Sequence, residues 1–126
     1  MNDCIFCKII KGEIPSNKVY EDELVYAFRD INPAAPVHIL IIPKEHICCA
    51  NKLEESHKEL IGHIILTAAK IAESEGVADS GYRLVNNCGE NAGQTVFHLH
   101  FHLQETHYGS LHIMAPESIP YPLRSF

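Results

Sequence analysis

Apolar and polar residues alternate most sharply at His98-Leu99-His100-Phe101-His102-Leu103. Successive side chains of a β-strand point to opposite faces, so three imidazoles share one face and Leu99, Phe101 and Leu103 the other. The pattern predicts a strand over 96–103, with its apolar face on a core and its histidine face lining a site. Earlier in the chain, Ile5 and Ile9, and Phe6 and Ile10, sit four apart, predicting a short helix over 4–11 that Gly12 and Pro15 end. Strands are expected over 17–21 and 24–29 around the acidic turn Glu21-Asp22-Glu23, then over 37–42 after the turn Asn32-Pro33-Ala34-Ala35-Pro36. Leu60, Ile61, Ile64, Ile65, Ala68, Ile71 and Ala72 recur at three- and four-residue spacing, predicting a long helix over 56–75. Ser56 and Glu59 suggest a capping box and Gly76 a stop. A fourth strand is expected over 82–86 and a polar loop over 87–93.

Strands, one long helix, then two strands describe an α+β domain rather than alternating βαβ units. The expected fold is an antiparallel five-stranded sheet with the long helix on one face and a short N-terminal helix. Open sheet edges need covering, and extension of the sheet across a homodimer is one solution.

The length of 126 residues suits a single domain with a real core, and 46% hydrophobic with 21% charged residues is an ordinary globular balance. A formal net charge of −6 argues against a nucleic-acid polymer as partner, though not against a small nucleotide. Apolar runs are too short and too interrupted for a membrane span. Met1-Asn2-Asp3-Cys4 has neither a basic nor an apolar leader region, so the expected location is the cytoplasm. Five cysteines, an odd number, point to free thiols or metal binding rather than a disulfide framework. Cys48, Cys49 and Cys88 read as ordinary thiols, and His57 and His63 as solvated surface histidines.

The run from His98 to Leu103 resembles the signature of the histidine triad superfamily of nucleotide hydrolases and transferases. So do Phe28-Arg29-Asp30-Ile31-Asn32-Pro33, Ala35-Pro36-Val37-His38, Ile41-Ile42-Pro43-Lys44-Glu45-His46, Asn87 and Gly93-Gln94-Thr95-Val96, which follow in the family's order. The similarity covers about residues 4–103 and is nearest to the histidine triad nucleotide-binding proteins, which act on nucleoside phosphoramidates. It implies that His100 is a nucleophile, with His102, His38 and His98 completing the catalytic histidines. A neutral imidazole can attack an electrophilic phosphorus and split one displacement into two easier ones. The resemblance further implies that Asp30 takes the ribose hydroxyls and that Asn87 and Thr95 serve the phosphate or leaving-group side. Gly93, Gln94 and Val96 form the same loop, expected to offer backbone N–H groups. Ile5, Phe6, Ile9, Phe28 and Ile31 would form an apolar slot for the base; without the resemblance they read as plain core.

Cys4-Ile5-Phe6-Cys7 taken alone is open between a redox pair, half a zinc site and coincidence. The resemblance adds His46 and His98 to Cys4 and Cys7 as a structural zinc site, apart from the reaction centre. No catalytic cofactor is implied.

After Leu103 the likeness stops. The family continues with a second apolar residue, a glycine-rich turn and often a tryptophan–proline tail. This chain has Gln104-Glu105-Thr106-His107-Tyr108 and no tryptophan. The chain is therefore read as a histidine triad domain over 1–103 with an atypical C-terminal tail over 104–126, in which His107 and His112 have no assigned role. The expected function is hydrolysis of purine nucleoside 5′-phosphoramidates through a nucleotidyl-histidine. Alternatives are a dinucleoside polyphosphate hydrolase and a non-catalytic nucleotide sensor or scaffold. The expected ligand is a purine nucleoside monophosphate unit.

Overall fold

A computed structural model describes residues 3–105; the tail beyond, with His107 and His112, lies outside the described residues. Strands β1 (Lys18–Glu21), β2 (Val25–Arg29), β3 (Val37–Pro43), β4 (Arg83–Val85) and β5 (Phe101–Glu105) form one antiparallel sheet in the order β1-β2-β3-β5-β4. Helix α1 (Ile5–Ile10) precedes the sheet, and helix α2 (Lys58–Ser74) links β3 to β4. The expected α+β architecture is the one observed. In the acidic turn, Asp22 Oδ1 accepts the amides of Leu24 and Val25 at 2.8 and 2.9 Å, closing the β1–β2 hairpin.

The central strands are buried on both faces. Val25 and Ala27 of β2, Ile39 and Ile41 of β3, and Leu99 and Leu103 pack with Leu60, Ile64, Ala68, Ile71 and Ala72 of α2. The intervening Tyr26, Phe28, Leu40 and Ile42 face the other way, onto Phe6 and Ile9 of α1. The second face is thus covered by α1, where the sequence suggested a sheet with its one long helix on a single face. A strand buried on both sides has no polar face to display, which is why β2 and β3 read as continuous apolar runs.

Two local expectations are corrected. The ladder of the last strand begins at Phe101, not at residue 96, and continues through Gln104 and Glu105. In the register that pairs Ile41 with Phe101, Leu99 would face Pro43, which has no N–H to give. Leu99 N donates instead to the Ile47 carbonyl at 2.6 Å. The faces still alternate as predicted, since Leu99, Phe101 and Leu103 join the α2 core. At the start of α2, a 3-10 turn over Glu55–His57 replaces the Ser56–Glu59 capping box. The His57 imidazole reaches back to accept the Glu54 amide at 2.9 Å, the role a Glu usually plays. At the far end Gly76, at φ 78°, adopts the left-handed conformation that closes a helix, as anticipated.

Candidate active site and metal centre

On the α1 side of the sheet lies a pocket of about 600 Å³. Ile5, Phe6 and Ile9 project from α1 to one wall, and Phe28, Ile31 and Leu40 complete the apolar end. Phe6 stands edge-on to Phe28, with centroids 5.6 Å apart, and edge-on to His100 at 5.1 Å. Ile31, 89% exposed, sits at the mouth. The opposite end is polar, formed by Asp30, Thr95, His100 and His102.

Hydrogen bonds determine which nitrogen of each ring carries the proton. His100 Nδ1 lies 2.8 Å from the His98 carbonyl, which can only accept, so Nδ1 carries the hydrogen. The lone pair of a neutral His100 is then on Nε2. The Ala34 amide donates to His38 Nδ1 at 3.0 Å, so a neutral His38 carries its hydrogen on Nε2. That atom is 2.9 Å from His102 Nδ1, which accepts and leaves the His102 hydrogen on Nε2. Burial pushes the pKa values of His38 and His100 below the ordinary histidine range, and burial with repulsion from His100 and His38 takes His102 down to about 4. All three are neutral rings at neutral pH. The arrangement presents a lone pair on His100 beside a donor N–H on His102.

Asp30 is anchored at the pocket edge. Its amide donates to the His38 carbonyl at 3.0 Å, Oδ1 accepts the Asn32 amide at 2.9 Å, and Oδ2 lies 3.5 Å from His38 Nε2. Each carboxylate oxygen keeps acceptor capacity for a hydroxyl pair.

A second cluster sits beside the pocket, on the other side of Phe6. His46 Nδ1 and His98 Nδ1 are 3.2 Å apart, Cys7 Sγ is 3.3 Å from the first and 3.6 Å from the second, and Cys4 Sγ is 3.4 Å from His98 Nδ1. Zinc bonds of about 2.3 Å to sulfur and about 2.0–2.1 Å to nitrogen put tetrahedral neighbours roughly 3.3–3.7 Å apart. These four separations are close to those a zinc ion needs, and all four ligand atoms lie within 4.8 Å of one another. His98, fully buried, donates from Nε2 to the Pro43 carbonyl at 2.8 Å, which turns its Nδ1 lone pair toward the thiols. None of the five cysteines is in a disulfide.

Comparison with known proteins follows from this geometry. A family model described as scavenger mRNA decapping enzyme C-term binding matches residues 3–115. A purine nucleoside phosphoramidase of Escherichia coli K12 is 54% identical over 101 residues, covering 80% of this chain and 85% of that one. The crystal structure of a HIT family hydrolase from Legionella pneumophila Philadelphia 1 superposes with a TM-score of 0.81 at 45% identity, over 86% of this chain and 99% of that one. The chain belongs to the histidine triad family of hydrolases. A maize relative called 14 kDa zinc-binding protein is 54% identical over 101 residues, 79% of this chain and 78% of that one.

Within this histidine triad protein the predicted residues divide into four groups. Ile5, Phe6, Ile9, Phe28, Asp30, Ile31, Thr95, Val96, His100 and His102 line the pocket. Cys4, Cys7, His46 and His98 form the metal-type cluster, so His98 faces thiols rather than the pocket. His38 stands behind His102 and touches it without lining the cavity. Asn87, Gly93 and Gln94 are not in the pocket wall. The amides of Gly93 and Gln94, expected to be open donors, are bonded to the Glu90 and Gly89 carbonyls at 3.0 Å each. The Gln94 side chain, 3% exposed, braces the loop from within: Oε1 accepts the Gly89 amide, and Nε2 donates to the Cys48 and Val96 carbonyls. Gly93, at φ 92°, supplies the left-handed turn that lets Gln94 fold inward. His57 and His63, expected to be simply solvated, pair with Glu45 at 3.1 Å and Asp22 at 2.6 Å.

Ser16 and Asn17, which line the pocket, escaped the sequence reading, and so did Asn86 and Gln104. Asn86 Nδ2 donates to the His100 carbonyl at 2.9 Å, steadying the segment that carries the ring. Gln104 packs against His38. Gln104, two residues past His102, continues the histidine face of the alternation and meets His38 through the β3–β5 pairing, whereas Asn86 belongs to no spacing motif.

Proposed function

We propose that the protein hydrolyses purine nucleoside 5′-phosphoramidates at the P–N bond through a nucleotidyl-His100 intermediate. The observation that carries this reading is the 2.8 Å contact from His100 Nδ1 to the His98 carbonyl, which commits the Nε2 lone pair to the pocket. His100 Nε2 attacks phosphorus, the P–N bond breaks, and the departing nitrogen takes a proton from water and leaves as ammonia or an amine. Water then cleaves the histidine–phosphorus bond, releasing the nucleoside monophosphate and the free ring. The His102 Nε2–H is positioned to bond a phosphate oxygen as charge builds there. The apolar end of the pocket receives the base, and Asp30 receives the ribose hydroxyls. The name of the Escherichia coli relative supports this substrate class.

Cys4, Cys7, His46 and His98 would hold a structural zinc ion, which would tie α1 to the triad segment and stabilise the fold without touching substrate. We also read the protein as a cytoplasmic homodimer whose sheet continues across an edge.

The test compares adenosine 5′-phosphoramidate with diadenosine tetraphosphate, using wild type and His100→Ala. The expected result is faster turnover of the phosphoramidate, lost in the variant, with a protein mass increase of one AMP unit in wild type quenched with alkaline denaturant. Preference for the dinucleotide would move the protein to polyphosphate hydrolysis. AMP binding without turnover of either would make it a binding protein.

A further inference from the structure

The atypical stretch begins inside the sheet. Gln104 lies on β5 between His38 of β3 and Arg83 of β4. It is 7% exposed, its Nε2 is 3.3 Å from His38 Nε2, and its Oε1 is buried without a partner among the described residues. These facts conflict with the proton positions derived above. Because the Ala34 amide occupies the His38 Nδ1 lone pair, His38 Nε2 carries hydrogen, and two N–H donors would face each other across 3.3 Å. The two ends of a glutamine amide are alike in shape, and only hydrogen-bond partners tell them apart. Turning the amide by a half rotation puts Oε1 on the His38 N–H, removes the opposed donors and gives the oxygen a partner. The NH2 group then takes the unpartnered place, which is less unfavourable than the original pairing of faults.

We propose that Gln104 is a positioning residue: its side-chain oxygen accepts the His38 Nε2 proton in competition with His102 Nδ1. The groups facing that proton are His102 from β5 at 2.9 Å, Gln104 from β5 at 3.3 Å and Asp30, following β2, at 3.5 Å. A hydrogen divided among acceptors binds each of them less firmly. Gln104 therefore loosens the contact that holds His102 in its Nε2–H form. Removing its acceptor leaves His102 and the more distant Asp30 as the facing acceptors, returns Gln104's share of the proton chiefly to His102 and strengthens the donor that faces the phosphate.

The consequence for turnover rests on the proposed phosphoramidase reading; the proton arrangement does not. The test uses full-length Gln104→Met, close to glutamine in shape, and Gln104→Leu as a second variant. Long-range 1H–15N spectra of wild type and variants report the protonated nitrogen of each ring. We expect His38 to remain Nε2-protonated throughout, with the His38 Nε2 and His102 Nδ1 resonances moving in both variants. The kcat for phosphoramidate should rise roughly three- to tenfold, as for one restored hydrogen bond, with KM within about twofold. Unmoved ring resonances would overturn the proposal, because a residue that only fills space would leave them in place. Moved resonances with unchanged or falling kcat would overturn the effect on His102. Wild type that turns over no phosphoramidate would sink the functional reading while leaving the spectra to decide the role of Gln104.

Discussion

His98 and His100 belong to one alternating segment, yet opposite ring nitrogens tie them to the backbone. His98 spends Nε2 on the Pro43 carbonyl and turns Nδ1 toward Cys4, Cys7 and His46. His100 spends Nδ1 on the His98 carbonyl and leaves Nε2 for the pocket. Phe6 separates the two, with ring centroids 5.9 Å from His98 and 5.1 Å from His100. One imidazole thus turns a lone pair toward sulfurs and the other turns a lone pair into the pocket beside a neutral donor. The chemistry of each is decided by the carbonyl it meets, and the residue type alone is silent on it.

The sharpest way to break this comparison is to remove each ring in turn. His100→Ala is expected to lower phosphoramidate turnover on the order of 10⁴-fold or more while bound zinc, measured by elemental analysis, stays at wild-type levels. His98→Ala should do the reverse in kind, losing zinc and lowering the thermal midpoint. Equal zinc loss in both variants would mean that the two centres are not separate.

Acidity offers a second test. His102 is depressed to about 4, whereas an unfolded histidine titrates near 6.5, so between these values the unfolded chain binds more protons than the folded one. Stability from this ring is present above about pH 6.5 and is lost as pH falls toward 4, by roughly 3 kcal/mol at the lower end. Urea unfolding from pH 7 to pH 4 should show the loss. His102→Gln, which cannot titrate there, should flatten it. The Cys4–His46 cluster responds to chelation instead: a strong chelator at pH 7 should lower the midpoint by several degrees, as for one or two kcal/mol in a domain this size, with turnover at low temperature changed less than about tenfold. Abolished turnover would place the metal in the reaction. The smallest effect belongs to Asn86→Ala, which frees the His100 carbonyl. A loss of about 1 kcal/mol in stability and a fall in kcat below tenfold are expected, read by denaturation and steady-state kinetics.

Much of this was legible along the chain because it depends on period. Alternation placed Leu99, Phe101 and Leu103 on the α2 core, and three- and four-residue spacing outlined α2. The Cys4-x-x-Cys7 spacing marked half of the metal cluster, and the resemblance supplied His46 and His98. What stayed hidden involves partners far apart in sequence. Gln94 read as part of a phosphate loop, but its amide is consumed by carbonyls of Cys48 and Val96. Asn86 looked like the end of a strand and Gln104 like the start of a tail until β5 paired with β4 and β3 and brought them to His100 and His38.

Local pattern, then, was enough for the element types and the apolar faces, since side-chain period and backbone propensity act between near neighbours, and the resemblance of the motifs pointed to the family. The order β1-β2-β3-β5-β4, the burial of the sheet on both faces and the ring partners of His98 and His102 came from contacts between distant segments. The rings of His100 and His38 are set locally, by the His98 carbonyl and the Ala34 amide, whereas His98 meets a carbonyl 55 residues away, a bond that leaves no period in the chain.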